Sequence, residues 1–155
     1  MIKVQPLTQP EIRATYPLVR EVAPGLGFAE WMRFARRMLD AAGSDRAGIM
    51  VARIGERAIP VGLYIWHVVR ELGAGRVLTA EKVVAFELTD RRVVADALVE
   101  SLEALAARLG VENVKAVMHG RSADVVACFR NAGLRPDAEI LAKSTVDPAA
   151  LGHSA

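Results

Sequence analysis

The stretch VVAFELTDRRVVADALVESLEALAARL, residues 83–109, decides the fold of this chain. An apolar run ends at Leu88, and the polar turn TDRR follows it. From Val94 onward the apolar residues recur at the spacing of an amphipathic helix. The stretch therefore predicts a buried strand that leads through a short loop into a long helix. The start of such a helix presents free backbone N–H groups and the positive end of the helix dipole, so it can hold a phosphate group.

The composition of the chain indicates one globular domain. Of its 155 residues, 52% are apolar and 25% are charged, which excludes a disordered chain. The formal net charge is only +2, so we expect no nucleic-acid partner. The single Cys128 excludes an internal disulfide and fits a reducing compartment. Neither a signal core nor a membrane-spanning apolar run is visible, so we expect a cytoplasmic protein without a membrane partner.

Strands and helices are also predicted over most of the rest of the chain. Strands are predicted over residues 2–7, 48–54, 59–69, 77–88, 113–118 and 138–144. Helices are predicted over residues 8–22, 28–39, 94–109 and 123–131. This order predicts an α/β fold with a mixed, mostly antiparallel sheet flanked by helices. We expect a single domain over residues 1–145, followed by a flexible tail over residues 146–155.

Three segments carry a resemblance to a known family. They are IPVG at residues 59–62, RRVVADALV at residues 91–99 and FRNAGL at residues 129–134. In this order and spacing they resemble the GNAT superfamily of N-acyltransferases. The resemblance implies a GNAT-like fold, acetyl-CoA or another acyl-CoA as co-substrate and no metal. It also implies an amine acceptor, carried by a small molecule or a protein.

The same resemblance implies which residues bind the acyl-CoA. The loop before the long helix corresponds to the loop that holds the pyrophosphate through backbone N–H groups. The residues implied to bind the co-substrate are Phe86, Leu88, Arg91, Arg92, Val93, Val94, Ala95, Ser122 and Phe129.

Three positions depart from the family pattern. Val93 stands where the loop usually has glycine, and Asp90 stands where Arg or Gln is usual. Phe129 replaces the tyrosine that commonly protonates the leaving thiolate. These departures keep a second function open, which is a GNAT-fold binding or regulatory module that has lost catalysis.

Direct attack of an amine on a thioester requires a neutral amine, so a general base is expected. The resemblance makes Glu81 the first candidate and Glu87 the second. Strand periodicity predicts that both lie on one face together with Val83 and Ala85. The alternative for each glutamate is a solvated or ion-paired strand residue.

Three further features have a structural and a functional interpretation. His119 either lines the acyl site or lies at the surface where a strand ends, and Cys128 is predicted to be a buried, inert thiol. The strand at residues 59–69 is almost continuously apolar, so we expect it to be buried on both faces. Because few elements remain to cover the second face, we predict a homodimer that meets through part of the second to fourth strands or the last strand. The alternative is that the helix at residues 28–39 and the C-terminal tail cover that face.

Overall fold

A computed structural model describes residues 1–41, 43, 45–88, 92–119 and 123–146 of the chain. The five strands are β1 (Ile2–Pro6), β2 (Ala47–Ile54), β3 (Ile59–Glu71), β4 (Gly75–Ala85) and β5 (Asn113–Ala116). The four α-helices are α1 (Ile12–Val22), α2 (Phe28–Asp40), α3 (Val93–Leu109) and α4 (Ala123–Asn131), and a short 3-10 turn (Gln9–Glu11) precedes α1. The predicted order of elements from β1 to α4 is confirmed.

The strands form one sheet in the order β1-β2-β3-β4-β5. Neighbouring strands from β1 to β4 are antiparallel, and β5 runs parallel to β4 because α3 connects them. The sheet is therefore mixed and mostly antiparallel, which confirms the predicted fold class.

Helices cover both faces of the sheet. On one face, Tyr64 and Trp66 of β3 pack in a core cluster with α3 and α4. On the other face, Leu63 and Ile65 pack in a second cluster with α1 and α2. The burial of β3 on both faces is confirmed for its middle, but helices of the same chain supply it. The expected shortage of covering elements, on which the homodimer prediction depended, is wrong.

Gly62 in β3 lets α3 begin very close to the sheet. A Cβ atom at this position would lie 2.8 Å from Val94 Cγ1 and 2.9 Å from the carbonyl oxygen of Val84. Any side chain here would push the first turn of α3 away from β3 and β4. This glycine therefore fixes where the start of α3 lies relative to the end of β4.

A β-bulge interrupts β4. Lys82 and Val83 together lie opposite Tyr64 of β3, and Lys82 has a φ of 52°. A bulge adds one residue to one strand of an antiparallel pair and changes the direction of the side chains that follow.

The bulge reverses the alternation of side chains along β4. Ala80 and Val83 both pack in the cluster beside α3, although a regular strand would put them on opposite faces. Since neighbouring strand residues point to opposite faces, Glu81 lies on the face away from α3. Ala85 still shares the face of Val83. The prediction that Glu81, Val83, Ala85 and Glu87 share one face is therefore wrong for Glu81.

The ends of several elements differ from prediction. β4 ends at Ala85 rather than at residue 88, and β5 ends at Ala116 rather than at residue 118. Residues 138–144 form no strand, so this prediction is wrong. An apolar segment forms an edge strand only where its backbone finds a partner, and here Ile140 and Leu141 are exposed. Within the described residues, every helix is too short or too polar to cross a bilayer.

Candidate functional site

Strands β4 and β5 stop pairing before the end of β4, and the region beyond their last pair is called the cleft. Their last paired residues are Ala80 and Ala116, and the N–H of Val117 donates a final hydrogen bond of 2.8 Å to the carbonyl oxygen of Ala80. Strand β4 continues to Ala85, whereas β5 has already ended. Residues 81–85 therefore border the cleft on the side that faced β5.

The start of α3 lies at the same end of β4. Arg92 caps the helix in the left-handed conformation, with a φ of 52°, and its side chain makes no capping hydrogen bond. Val94 and Ala95 in the first turn are buried. A helix of 17 residues carries a dipole whose positive end points out of this turn. The turn is therefore suited to binding an anion.

An anion of the chain itself occupies this position. The N–H of Val94 donates to Glu87 Oε2 at 3.1 Å, and the N–H of Ala95 donates to Glu87 Oε1 at 2.8 Å. Each carboxylate oxygen thus accepts one backbone hydrogen bond from the first turn of α3. The free N–H groups that the sequence predicts for Val94 and Ala95 are already bonded to Glu87.

The basic residues predicted at this loop have different positions. The guanidinium of Arg92 lies 3.0 Å from Asp124 Oδ1 and so connects the start of α3 to α4. Arg91, Asp90 and Ser122 lie outside the described residues. Arg92 is therefore paired with a carboxylate of its own chain.

A second group of polar side chains lies at the cleft. Lys82 Nζ is 3.2 Å from His119 Nε2, which connects the bulge of β4 to the segment after β5. An ammonium can only donate, so Nε2 of a neutral His119 accepts and Nδ1 carries the proton. Desolvation, the largest cause, and the charge of Lys82 lower the pKa of His119, while the charge of Glu81 raises it. The ring therefore favours its neutral form near pH 7.

The sequence did not predict the contact of Lys82 with His119. Its cause is the bulge, which turns Lys82 out of the regular alternation of β4. Lysine is not a residue that marks a positive φ in a sequence, so no local signal predicts the bulge. Glu81, in contrast, was a predicted site residue, and it is half-buried beside the cleft.

One predicted site residue of α4, Phe129, is buried, and so is its neighbour Cys128. Phe129 is 2% exposed and packs in the core beside α3. The adjacent Cys128 is buried as predicted, and burial, with a hydrogen bond to Asp96, raises its pKa to about 11. A thiol with this pKa is protonated at neutral pH. Neither side chain is therefore a ready nucleophile or acid at the cleft.

The predicted apolar contacts of the co-substrate are more accessible. The side chains of Phe86, Leu88 and Val93 are exposed. The N–H of Phe86 donates to the carbonyl oxygen of Val61 at 2.7 Å, so this donor is used within the sheet. The three side chains offer apolar surface near the cleft and the start of α3.

Searches with the sequence find no matching family model and no matching curated protein. The fold, in contrast, is similar to many solved acetyltransferases. The aminoglycoside N-acetyltransferase AAC(6')-Iy, solved in complex with CoA, has a TM-score of 0.75 at 10% identity, and the match covers 94% of this chain and 96% of that one. Glucosamine-6-phosphate N-acetyltransferase from Arabidopsis thaliana has a TM-score of 0.72 at 13% identity, with 94% and 99% covered.

A third similar structure is the ribosomal-protein-alanine N-acetyltransferase from Brucella melitensis biovar Abortus 2308, with a TM-score of 0.71, 14% identity and coverage of 93% and 99%. These matches span nearly the whole of each chain, at identities that show the fold alone. The chain has the fold of the GNAT N-acetyltransferases.

Proposed function

We propose that the chain is an N-acyltransferase that uses acetyl-CoA or another acyl-CoA to acylate an amine. The observation that carries the proposal is the cleft between β4 and β5 with the start of α3 at its end. The same fold belongs to the acetyltransferase AAC(6')-Iy, which has been solved both with CoA and with a CoA-linked bisubstrate analogue. The proposed location is the cytoplasm, and the acceptor is an amine on a small molecule or a protein.

The cleft suits the arm of an acyl-CoA. Residues 81–85 border it, and the exposed side chains of Phe86, Leu88 and Val93 add apolar surface beside it. The first turn of α3 suits the diphosphate, since its N–H groups already hold a carboxylate. The bound acyl-CoA would supply the thioester that the amine attacks.

Glu81 is the proposed general base. Its half-buried carboxylate lies at the cleft and acts electrostatically on His119. A carboxylate there can take a proton from the acceptor ammonium, directly or through a water molecule. Glu87 is the weaker candidate, because both of its oxygens accept hydrogen bonds from α3.

Protonation of the leaving thiolate needs a donor other than Phe129, which carries no exchangeable proton. Solvent and Ser122 are two candidate donors. Lys82 is an ammonium at the cleft, bonded to His119, and it carries a proton that it can donate. A chain without a dedicated acid would still react, at a rate limited by solvent.

The test is a titration of CoA followed by an assay with acetyl-CoA. The titration follows the amide signals of residues 92–95, which should shift at millimolar CoA. The assay measures thiol release over a panel of amines. Glu81→Gln should lower kcat by about 10²-fold or more, as expected for loss of a general base, with CoA affinity unchanged. Glu103→Gln, on the exposed face of α3, is the matched control. If no amide signal shifts at millimolar CoA, the proposed enzyme function is wrong.

A second candidate is a GNAT-fold binding or regulatory module without catalysis. It is favoured by the buried Phe129, which has no proton to give, and by Glu87 at the start of α3. Val93→Gly separates the two candidates. If the change raises CoA affinity from undetectable to measurable, the native site has decayed. If affinity barely changes, the native loop tolerates valine.

A homodimer remains part of the proposal, but the argument for it no longer depends on the burial of β3. Ile140 and Leu141 are 68% and 86% exposed, which is apolar surface that a second copy could cover. Light scattering at tens of micromolar tests this. A mass near twice 16.7 kDa would support the dimer, and a mass near 16.7 kDa would contradict it.

A further inference from the structure

We propose that Glu87 is an internal competitor of the acyl-CoA diphosphate, so that the co-substrate binds only after this side chain leaves the start of α3. The inference rests on the proposed function, and it concerns the regulation of that same site. The carboxylate of Glu87 and the diphosphate need the same two N–H groups at the start of α3, and only one anion can bind them at a time.

The geometry supports competition rather than a contact beside the site. Glu87 uses both carboxylate oxygens, on the N–H groups of Val94 and Ala95, at 3.1 and 2.8 Å. Val94 and Ala95 are buried, and Gly62 keeps this turn close against the sheet. The turn therefore has little freedom to rotate and present the same donors to a second anion. The diphosphate must displace the carboxylate.

The surrounding charges favour the state in which Glu87 is bonded to the start of α3. Among the residues that the structure describes, the cation at the start of α3 is Arg92, and it is paired with Asp124 at 3.0 Å. Asp96 follows in the same turn and is exposed. An incoming diphosphate would therefore meet the carboxylates of Glu87 and Asp96 before it gained the N–H groups. Departure of Glu87 removes both the steric block and one of these charges.

Competition lowers the apparent affinity for CoA in proportion to the fraction of molecules in which Glu87 has left the start of α3. If about one molecule in ten has Glu87 displaced, the apparent Kd for CoA rises about tenfold above that of the open site. A ligand that lacks the diphosphate, such as pantetheine, does not need these N–H groups. Its affinity should be independent of residue 87, which separates competition from a general change in the cleft.

The experiment compares the wild type with Glu87→Ala and Glu87→Gln by calorimetric titration of CoA and of pantetheine. Glu87→Ala should bind CoA about tenfold more tightly, a coupling of ordinary size. Glu87→Gln should fall between, because it keeps one acceptor oxygen, whereas the NH2 group that replaces the other oxygen can only donate. Pantetheine should bind all three equally. Glu100→Ala, an exposed glutamate on the same helix, should match the wild type for both ligands.

The outcomes separate the two proposals. Equal CoA affinity in the wild type and Glu87→Ala would overturn the competition and leave the proposed function standing. Absence of CoA binding by all variants at millimolar concentration would overturn the proposed function and this inference with it. If Glu87→Ala does not fold, Glu87→Gln carries the comparison. Its amide signals at Val94 and Ala95 should move without any ligand, and unchanged signals would overturn the contact itself.

Discussion

Two glutamates stand at the starts of two helices, and their partners differ. Glu11 precedes α1, and its carboxylate accepts hydrogen bonds from the guanidinium of Arg53, including one of 2.6 Å from Nη2, and from Thr8. Glu87 precedes α3, and its carboxylate is held by backbone N–H groups of the helix. No ion pair of Glu87 with a basic residue occurs in the described parts of the chain.

This difference shows which of the two carboxylates another anion could replace. Arg53 is only 8% exposed and also donates to the carbonyl oxygen of Pro6 at 2.9 Å, so it needs Glu11 permanently. The N–H groups of α3 can donate hydrogen bonds to any anion of suitable shape. Glu11 therefore belongs to the architecture, whereas Glu87 fills a position that another anion could take.

Arg53→Ala should have the largest effect on this comparison. The change leaves the carboxylate of Glu11 and several backbone carbonyls without their buried cation, so unfolding free energy should fall by about 3–5 kcal/mol. Urea denaturation measures it. Arg57→Ala, exposed in the β2–β3 turn, should change stability by less than about 0.5 kcal/mol. A similar small loss for Arg53→Ala would mean that Glu11 is as exchangeable as Glu87.

Apolar packing, not the carboxylate, should hold α3 in place. Leu98 and Leu102 are fully buried beneath the helix, so alanine at either position should cost about 2–5 kcal/mol. Thermal and urea unfolding of both variants measure this loss. Glu103→Ala, on the exposed face, should cost less than about 0.5 kcal/mol. Equal effects at Leu102 and Glu103 would show that the assigned faces of α3 are wrong.

Acid should weaken the α1 end of the molecule. The hydrogen bond from Arg53, the largest cause, lowers the pKa of Glu11 from 4.5 to about 2. The folded state thus binds this proton less readily than the unfolded state, and the stabilisation is complete above pH 4.5. It is lost as the pH falls toward 2, by about 3 kcal/mol from the pKa difference.

The measurement is unfolding free energy against pH for the wild type and Glu11→Gln. The variant should be less stable at pH 7 and should lack this part of the decline between pH 4.5 and 2. Parallel pH profiles for the two proteins would contradict the assignment of the acid sensitivity to Glu11.

Glu87→Ala should have the smallest effect on stability. Loss of a capping carboxylate at a helix start costs about 1 kcal/mol, because water can partly replace it. Chemical denaturation beside Glu100→Ala, which should be nearly neutral, measures this difference. A loss as large as that of Arg53→Ala would indicate that Glu87 is a structural anchor, and it would remove the contrast between the two glutamates.

The sequence predicted most of the fold, because the main elements have regular patterns. The apolar period of α3 and the continuous apolar run of β3 are strong local signals, and both elements lie where they were expected. Residues 138–144 have a similar strand pattern and form no strand. The hydrophobic pattern indicates that a segment is able to form a strand. The strand also needs a neighbouring strand to pair with, which the local sequence does not specify.

The site was less predictable because its contacts depend on the bulge and on distance along the chain. The sequence predicts Glu81 and Glu87 as candidate residues, but the regular alternation of a strand predicts that both lie on one face. The bulge at Lys82 separates them, and no glycine marks it. The contacts of Glu87 reach Val94 and Ala95 across the loop, so they follow from three-dimensional placement rather than from any motif.

The bulge also restricts how the length of β4 can change. Strand side chains alternate with a period of two, so one added or deleted residue after Val83 would invert every position that follows. Ala85 would then leave the core that it now shares with Val83. Insertions and deletions should therefore be tolerated here only in pairs, whereas many single substitutions at exposed positions would be neutral. For this segment the number of residues is a stricter requirement than their identity.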